Sequence, residues 1–301
     1  MPSTRELRLR VRSIKNLAQV TRALETVSAS YVRKSIQADQ ATRPYADKAW
    51  NVLVHLARQP GHASLHPLLA ERPEVRSVLV LMLSSDRGLA GAYSINILRA
   101  TLQHFDKFTV PVSYVTVGRK GRDLLLRRRK GVIAEFSGLP TPPSYADVSA
   151  IGKLVVGDFQ RKMYDEVYIA FTRFKSMVVQ KPVVRKLLPL DINYTGEDSG
   201  GAYKSPPQQA ASSVFVYEPD QAELLNEIVP RFTALQIYQA ILSAQASEHA
   251  ARMVAMRNAT ENANELVGNL QLEYNKLRQT IITNEMLDIA GGANAQDQGE
   301  G

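Results

Sequence analysis

Between Asp220 and Ala290 the chain reads DQAELLNEIVPRFTALQIYQAILSAQASEHAARMVAMRNATENANELVGNLQLEYNKLRQTIITNEMLDIA, and only Pro230 and Gly268 interrupt this helical pattern. A helix of about 70 residues is roughly 105 Å long, whereas an ordinary globular helix has about 11–12 residues. A single compact domain cannot cover a helix of that length. The sequence therefore predicts a helix that reaches out of its own domain toward a partner.

A second long helix is predicted at the other end of the chain, where residues 3–43 contain neither glycine nor proline. Ser3 and Glu6 have the spacing of a capping box at its start. Pro44 is expected to end or bend this helix, and any continuation should stop before Pro60. Its apolar side chains form a narrow stripe at helical spacing, typical of a coiled-coil seam: Leu7, Val11, Ile14, Leu17, Val20, Leu24 and Val27.

The C-terminal helix carries a matching stripe and, before it, a ridge of small side chains. The stripe comprises Ala263, Leu266, Leu270, Tyr274, Leu277 and Ile281, and the ridge Ala251, Ala255, Ala259 and Ala263. Small residues allow a second helix to approach closely. Because a central domain could cover each stripe only in part, we expect the two terminal helices to pair as an antiparallel coiled coil that projects from the domain.

The middle of the chain changes to a strand and helix alternation. Apolar strand patterns at 76–84, 110–117, 132–136 and 166–174 alternate with helical patterns at 91–105, 119–129 and 145–163. Such alternation predicts an α/β fold, here a Rossmann-like domain with a mostly parallel sheet, in addition to the long coiled coil. The segment 178–190 contains Pro182 and is expected at a sheet edge or in a bent pair. A polar surface loop at 193–212 and a last strand at 213–217 follow.

These patterns predict four parts in chain order. They are an N-terminal shaft helix at 1–58, an α/β domain at 75–217, a C-terminal shaft helix at 218–290 and a disordered tail at 291–301.

Composition and charge narrow the class of protein. The 301-residue chain has a net charge of +8 and contains no cysteine, which excludes disulfides and cysteine nucleophiles. It has no apolar run long enough to cross a bilayer and does not begin with a signal-peptide pattern. Residues 1–43 carry nine basic and three acidic residues, whereas 220–290 carry five basic and nine acidic ones. The two helices should attract each other, and the basic one leaves a nucleic-acid-binding protein as an alternative.

Chemistry-bearing motifs are weak. The turn Ser84-Ser-Asp-Arg-Gly-Leu-Ala-Gly-Ala92 follows a strand and opens a helix, which is where α/β folds bind phosphates, but it lacks both common phosphate-binding patterns. A tight structural turn is the favoured interpretation, and a nucleotide-dependent enzyme is the second alternative. His62 and His66 lie in a connection without nearby carboxylates, and His249 follows Glu248 on the long helix. We therefore expect no catalytic residues, no metal site and no cofactor.

The end of the long helix is more informative. Residues 275–285 are rich in polar side chains, and residues 281–289 include five large apolar ones: Ile281, Ile282, Met286, Leu287 and Ile289. Apolar side chains at the far end of an extended helix need burial, which predicts insertion into a partner.

Three stretches of this sequence resemble the γ subunit family of the F-type ATP synthase, and the similarity covers nearly the whole chain. The first runs from Arg12-Ser-Ile-Lys-Asn16 to Val27, and the second is Ser85-Asp-Arg-Gly-Leu89. The third and most specific runs from Glu248-His-Ala-Ala-Arg252 through Asn258-Ala-Thr-Glu-Asn-Ala263 to Arg278-Gln-Thr-Ile-Ile-Thr283 and Glu285.

The resemblance implies a rotor shaft without catalytic residues of its own. In that family the coiled coil fills the centre of a hexamer of α and β subunits. The α/β domain forms a foot, with the ε subunit, on the membrane-embedded c-ring. The implied function is to couple proton flow through the ring to conformational cycling of the β-subunit catalytic sites during ATP synthesis. The implied location is peripheral, on the cytoplasmic face of a bacterial inner membrane, with no nucleic acid as partner.

The resemblance also assigns expected roles to individual residues. Contacts to β subunits and to the bearing are expected at Arg252, Arg278, Gln279, Thr283 and Glu285. Arg33 and Lys34 are expected on a basic face toward an acidic β-subunit loop, and Tyr217 and Glu218 on the c-ring side of the foot. The chain departs from the family at Leu24, Thr26 and Tyr31 and in the turn at Ala90 and Ala92, which leaves details of the β contacts open.

Overall fold

The computed structural model describes residues 3–57, 66–191 and 221–297. The chain forms two compact units, one of residues 1–27 with 254–301 and the other of residues 28–253. Both long helices, α1 (Thr4–Ala57) and α5 (Gln221–Asp297), contribute to both units. This division differs from the predicted boundaries at 58 and 218, because about half of each helix packs into the α/β unit and not into the coiled coil.

The first unit is an antiparallel helix pair with a heptad seam. The seam consists of buried or half-buried residues, which on α1 are Leu7, Val11, Ile14, Ala18 and Thr21 and on α5 are Met256, Thr260, Ala263, Val267, Leu270, Tyr274 and Leu277. Both sets alternate steps of four and three residues, the spacing that keeps one side of each helix toward the other. The predicted antiparallel coiled coil is therefore confirmed.

Three contacts fix the register of this pair. The Thr21 and Thr260 hydroxyls are 2.7 Å apart, Arg8 donates to the Tyr274 hydroxyl at 2.9 Å, and Arg257 pairs with Glu25 at 2.9 Å. In each pair the two residue numbers add to 281 or 282. Because α1 begins at Thr4, its first turn lies opposite Leu277. The twenty residues of α5 from Arg278 to Asp297, about 30 Å of helix, extend beyond the start of α1.

The predicted seam needs five corrections. Leu17, Val20 and Leu266 are exposed, at 55%, 56% and 47%, and the seam uses Ala18, Thr21 and Val267 instead. Val27 is 50% exposed, and Ile281, at 38%, lies past the paired stretch. A helical turn has 3.6 residues, so residues spaced by three rotate gradually around the helix axis. A stripe selected by side-chain size and spaced by successive threes therefore leaves the face that contacts the other helix. At the level of Leu17 and Val20 the seam is formed by the smaller side chains of Ala18 and Thr21.

A cysteine pair tests this register, since the natural chain has no cysteine. We expect Thr21→Cys with Thr260→Cys to form a disulfide on mild oxidation, because the two hydroxyls already touch. Thr21→Cys with Val267→Cys, displaced by one heptad or about 10 Å, should remain reduced. Electrophoresis without reductant reads both results, and efficient cross-linking of the displaced pair would contradict the register.

The second unit contains a five-stranded sheet in the order β3-β2-β1-β4-β5. Its strands are β1 (Val78–Leu83), β2 (Val112–Val117), β3 (Val132–Phe136), β4 (Glu166–Phe174) and β5 (Gln180–Leu188). The first four are parallel, and β5 pairs antiparallel with β4 at the edge. The mostly parallel sheet and the edge position of Pro182 agree with the sequence prediction.

Helices cover both faces of the sheet. They are α2 (Tyr93–Phe105), α3 (Arg119–Arg127) and α4 (Tyr145–Gln160). One face packs on α2 and α3 through residues such as Ile97 and Leu125, and the other packs on α4 and the adjoining parts of α1 and α5. Trp50 of α1 stacks on Phe232 of α5 in this larger core, with ring centroids 5.5 Å apart.

Pro44 does not end α1, and α5 ends later than predicted. Helix α1 continues through Pro44 to Ala57, and both Pro44 and Gln40 are exposed, so the carbonyl that loses its helical donor can face solvent. Helix α5 continues past Ala290 to Asp297, into the tail predicted to be disordered. Alanine at 290, 293 and 295 favours helix, and two glycines do not stop it. The loop at 193–212 and the strand at 213–217 lie outside the described residues.

Candidate partner-binding site

The overhanging end of α5 carries four of the predicted contact residues. Arg278, Gln279, Thr283 and Glu285 are all exposed. Thr283 donates to the Gln279 carbonyl one turn earlier at 2.9 Å, a bond within its own helix. No described residue of α1 pairs with these side chains, because α1 begins opposite Leu277.

Large apolar side chains lie among these polar residues. Met286, Leu287 and Ile289 are 67%, 65% and 73% exposed, and Ile281 and Ile282 are 38% and 42% exposed. Burying such a side chain is worth about 1.5–3 kcal/mol, so five of them in three turns of helix are a strong drive toward association. A helix end of this composition suits a binding site in a partner that has an apolar interior and a polar rim.

Arg252 lies elsewhere and has another role. Its side chain is only 10% exposed and pairs with Glu248 at 2.6 Å. It also donates to the backbone carbonyls of Gly88 and Arg87 at 3.3 and 3.4 Å. The Arg252 guanidinium therefore joins α5 to the glycine turn of its own unit, and a contact between Arg252 and a partner stays a prediction.

Burial dominates the electrostatics of this cluster. It raises the pKa of the Glu248 carboxyl, while the Arg252 guanidinium acts in the opposite direction. Burial also lowers the pKa of His249 to about 4, and the charge of Arg252 adds to this. His249 stacks on Tyr31 of α1 with ring centroids 4.9 Å apart. The imidazole is thus neutral at physiological pH, as expected for a packing residue.

The pKa of His249 predicts acid sensitivity with a defined sign. An unfolded histidine has a pKa of about 6.5, so between pH 6.5 and 4 the unfolded chain binds more protons. The stability held by neutral His249 is complete above pH 6.5 and decreases on acidification. In that window His249 should lower the free energy of unfolding of the wild-type chain by about 1.4 kcal/mol per pH unit of acidification. We expect His249→Gln to remove this contribution, as measured by urea unfolding at several pH values. Tyr31→Phe, which keeps the stacked ring, should retain the wild-type pH dependence, and an unchanged slope in His249→Gln would contradict the assignment.

Side chains of the glycine turn bond to backbone N–H groups of the same chain. Asp86 accepts from the backbone N–H of Arg119 at 3.1 Å and of Gly138 at 2.8 Å, and the Ser84 hydroxyl accepts from the N–H of Gly121 at 2.8 Å. A Cβ on Gly118 would lie 2.5 Å from the Ser84 carbonyl. These side chains satisfy N-terminal donors of α3, the helix beside the turn. At the start of α2, where a phosphate would bind, the Tyr93 N–H bonds to the Ala90 carbonyl at 3.2 Å and the Asn96 N–H to the Ala92 carbonyl at 2.8 Å. The geometry favours the structural turn over the nucleotide-binding alternative.

The remaining predicted residues fall in two groups. Arg33 and Lys34 are exposed on α1, and the Lys34 ammonium lies 5.9 Å from the ring centroid of Tyr31. Tyr217 and Glu218 lie outside the described residues. Sequence reasoning missed the structural roles of Arg252 and Asp86, because the backbone groups that they bind lie on elements distant in sequence.

The fold and the exposed helix end define a class of protein, a subunit that presents a coiled coil to a larger assembly. A family model described as ATP synthase matches residues 3–296. An ATP synthase gamma chain from Roseiflexus sp. is 43% identical over 302 residues, covering 98% of this chain and 99% of the relative. The gamma chain of Dehalococcoides mccartyi is also 43% identical, over 296 residues with the same coverage. The chain belongs to the ATP synthase γ chain family.

A solved structure shows the same fold. It is a chain of the Euglena gracilis mitochondrial ATP synthase, in a structure of OSCP, F1 and c-ring. The TM-score is 0.67 at 19% identity, and the match covers 99% of this chain and 95% of that one. Family membership leaves the nucleic-acid-binding alternative without support.

Proposed function

We propose that this chain is the central rotor shaft, the γ subunit, of an F-type ATP synthase. The shaft couples proton flow through the c-ring to conformational cycling of the β-subunit catalytic sites during ATP synthesis. The observation that carries the proposal is the overhang of α5, whose apolar and polar side chains from Arg278 to Ile289 are exposed together. Those side chains would be buried in the sleeve formed by the α and β subunits.

The mechanism requires contacts that differ among equivalent partners. A conformational change follows only from a differential interaction free energy with the alternative states. A single shaft inside three β subunits presents a different face to each, so rotation changes which site receives which contact. In this proposal Arg278, Gln279, Thr283 and Glu285 contact the β subunits and the bearing. Arg33 and Lys34 present positive charge to an acidic β-subunit loop, and Arg252 is proposed as a further contact through the small part of its side chain that is exposed.

The other partners are the ε subunit and the c-ring, at the α/β unit. Tyr217 and Glu218, just before α5 begins, are proposed on the c-ring side. In the described residues no helix combines the length and the apolarity that a membrane span requires. Members of the γ chain family belong to a membrane-associated complex, and we propose a peripheral position on the cytoplasmic face of a bacterial inner membrane.

Co-assembly tests this proposal directly. The tagged full-length chain, refolded with α and β subunits of the same enzyme, should co-elute with both in gel filtration and support ATP hydrolysis by the complex. A chain with Arg12→Gln and Lys15→Gln, exposed positions in the paired part of α1, should assemble equally and serves as the control. Failure of the wild-type chain to bind α and β subunits would refute the shaft function.

A further inference from the structure

Two helices of the α/β unit end in an unusual way. Helix α3 closes with backbone bonds from Lys130 N–H to the Leu125 carbonyl at 3.1 Å and from Arg129 N–H to the Leu126 carbonyl at 2.9 Å. This is the Schellman motif, whose left-handed residue is usually glycine. Here that residue is Arg129, with φ of 54°.

Helix α4 ends in the same manner. Met163 N–H bonds to the Asp158 carbonyl and Lys162 N–H to the Phe159 carbonyl, both at 3.0 Å. The left-handed residue is Lys162, with φ of 62°. In both motifs a cation therefore occupies the position that favours glycine, and the left-handed conformation disfavours a side chain there by roughly tenfold.

Both ends lie at the same edge of the sheet. Strands β1–β4 are parallel and the helices between them run back, so α2, α3 and α4 all end where the strands begin. Arg129 ends α3 just before β3, and Lys162 ends α4 just before β4. These two strands are three strand spacings, or roughly 14 Å, apart in the sheet, and the two helices cover its opposite faces. We define the amino-edge cluster as Lys107, Arg127, Arg128, Arg129, Lys130, Arg161 and Lys162.

Few carboxylates oppose this cluster. Among the residues that the structure describes, one ion pair involves it, between Arg161 and Asp158 at a loose 3.9 Å. The neighbouring carboxylates Asp165 and Glu74 are taken by Arg72 and Arg76, at 2.6 and 2.7 Å. The cluster therefore presents a net positive surface.

Helix stability does not account for so many cations. Positive charge near a helix C-terminus interacts favourably with the helix dipole. Arg127 and Arg128 already provide it for α3, and Arg161 provides it for α4. Glycine at 129 and 162 would leave those charges in place and remove the left-handed penalty. The retained Arg129 and Lys162 side chains thus point to a role outside the fold.

Exposed apolar side chains accompany the cations. Leu126, Ile133 and Met163 are 53%, 49% and 54% exposed and lie beside Arg127, the start of β3 and Lys162. Clustered cations with interspersed apolar side chains are the composition of surfaces that bind the interface of anionic membranes.

The cluster is on the side of the unit where α5 begins. Ser247 donates to the Thr172 carbonyl and Arg252 to the Gly88 carbonyl, both toward the edge where the strands end. Earlier in α5, Gln236 lies in a groove with Leu187 and Leu190, at the edge where β4 begins. Within this unit α5 therefore runs from the amino edge toward the edge where the strands end.

We propose that the amino-edge cluster is an electrostatic docking surface for anionic phospholipid headgroups, which draws the unassembled chain to the membrane. The association is peripheral and reversible, and it raises the concentration of the chain beside the membrane. This inference rests on the proposed function for its biological purpose, whereas the lipid binding itself is testable alone.

The test uses the full-length chain and sedimentation with two kinds of vesicle, phosphatidylcholine alone and phosphatidylcholine mixed with phosphatidylglycerol. The wild-type chain should bind the anionic vesicles only, and added salt should release it. Arg129→Gly with Lys162→Gly should weaken binding about fivefold per cation, thus roughly 25-fold, while raising the Tm, because glycine suits both left-handed positions. Arg12→Gln with Lys15→Gln removes the same charge elsewhere and should bind nearly as the wild type.

Three results would overturn the proposal. They are equal binding to neutral and anionic vesicles, an equal loss in the Arg12 and Lys15 control, and binding of the double glycine variant that matches the wild type. A cation-dependent association with purified c-ring in neutral detergent, without vesicle binding, would assign the cluster to an acidic protein surface instead. Co-assembly with α and β subunits is scored separately, so failure of the shaft function is distinguishable from failure of lipid docking.

Discussion

Truncation of the chain after Leu277 is expected to leave folding and assembly largely intact and to impair coupling severely. The deleted residues include the whole overhang, whereas the heptad seam from Met256 to Leu277 and the register contacts at Thr260 and Tyr274 remain. Coupling between sites is typically worth 1–3 kcal/mol, so we expect proton-driven ATP synthesis in reconstituted vesicles to fall by about 5- to 150-fold. ATP hydrolysis by the assembled complex should decrease less.

A pair of point variants separates the overhang from general surface effects. Leu287 in the overhang and Leu272 in the paired stretch are 65% and 62% exposed on the same helix. Leu287→Ser removes an apolar contact to the sleeve and should reduce synthesis, and Leu272→Ser, matched in chemistry and exposure, should reduce it less. Full coupling by the truncated chain would show that torque does not pass through the overhang.

Replacement of Arg252 by methionine is expected to destabilise the α/β unit by about 3–5 kcal/mol. Removing one member of a buried ion pair leaves the other charge uncompensated, here Glu248. The carbonyls of Arg87 and Gly88 also lose their donor. Guanidinium unfolding should show a lower midpoint, with an unchanged dependence on denaturant if folding stays two-state.

A double variant gives the control for this effect. Arg252→Met with Glu248→Leu removes both charges and should recover much of the stability, because a buried pair is often replaceable by apolar side chains. If the double variant is as unstable as the two single variants combined, the buried charge of Glu248 is not the cause. A decisive loss of partner binding in Arg252→Met with normal stability would support the predicted β-subunit contact.

The elements with continuous apolar patterns were predictable from the sequence. The bounds of β3 and β4 agree with the prediction, and the parallel sheet follows from the strand and helix alternation. The seam was harder, because hydrophobicity selects Leu17 and Val20 whereas close helix packing selects Ala18 and Thr21. The residue types of one helix do not show at which positions the backbone of the facing helix leaves room only for a small side chain.

The roles of the site residues were also predictable only in part from the sequence. The exposed apolar end of α5 follows from its length, since its partner helix begins too late to cover it. The internal role of Arg252 depends on where the turn at Arg87 and Gly88 lies in space, about 165 positions earlier in the chain. Helical spacing alone could have suggested only its pair with Glu248, four residues before it.

The heptad register of the two terminal helices has a consequence for how the family can change in length. One inserted residue within α1 turns everything beyond it by about 100° around the helix axis and carries Leu7, Val11 and Ile14 away from the seam. Seven residues restore the seam but move the start of α1 by about 10 Å, which covers or uncovers two turns of the overhang. The span from Thr4 to Thr21 should therefore resist insertions and deletions even where its individual side chains vary freely.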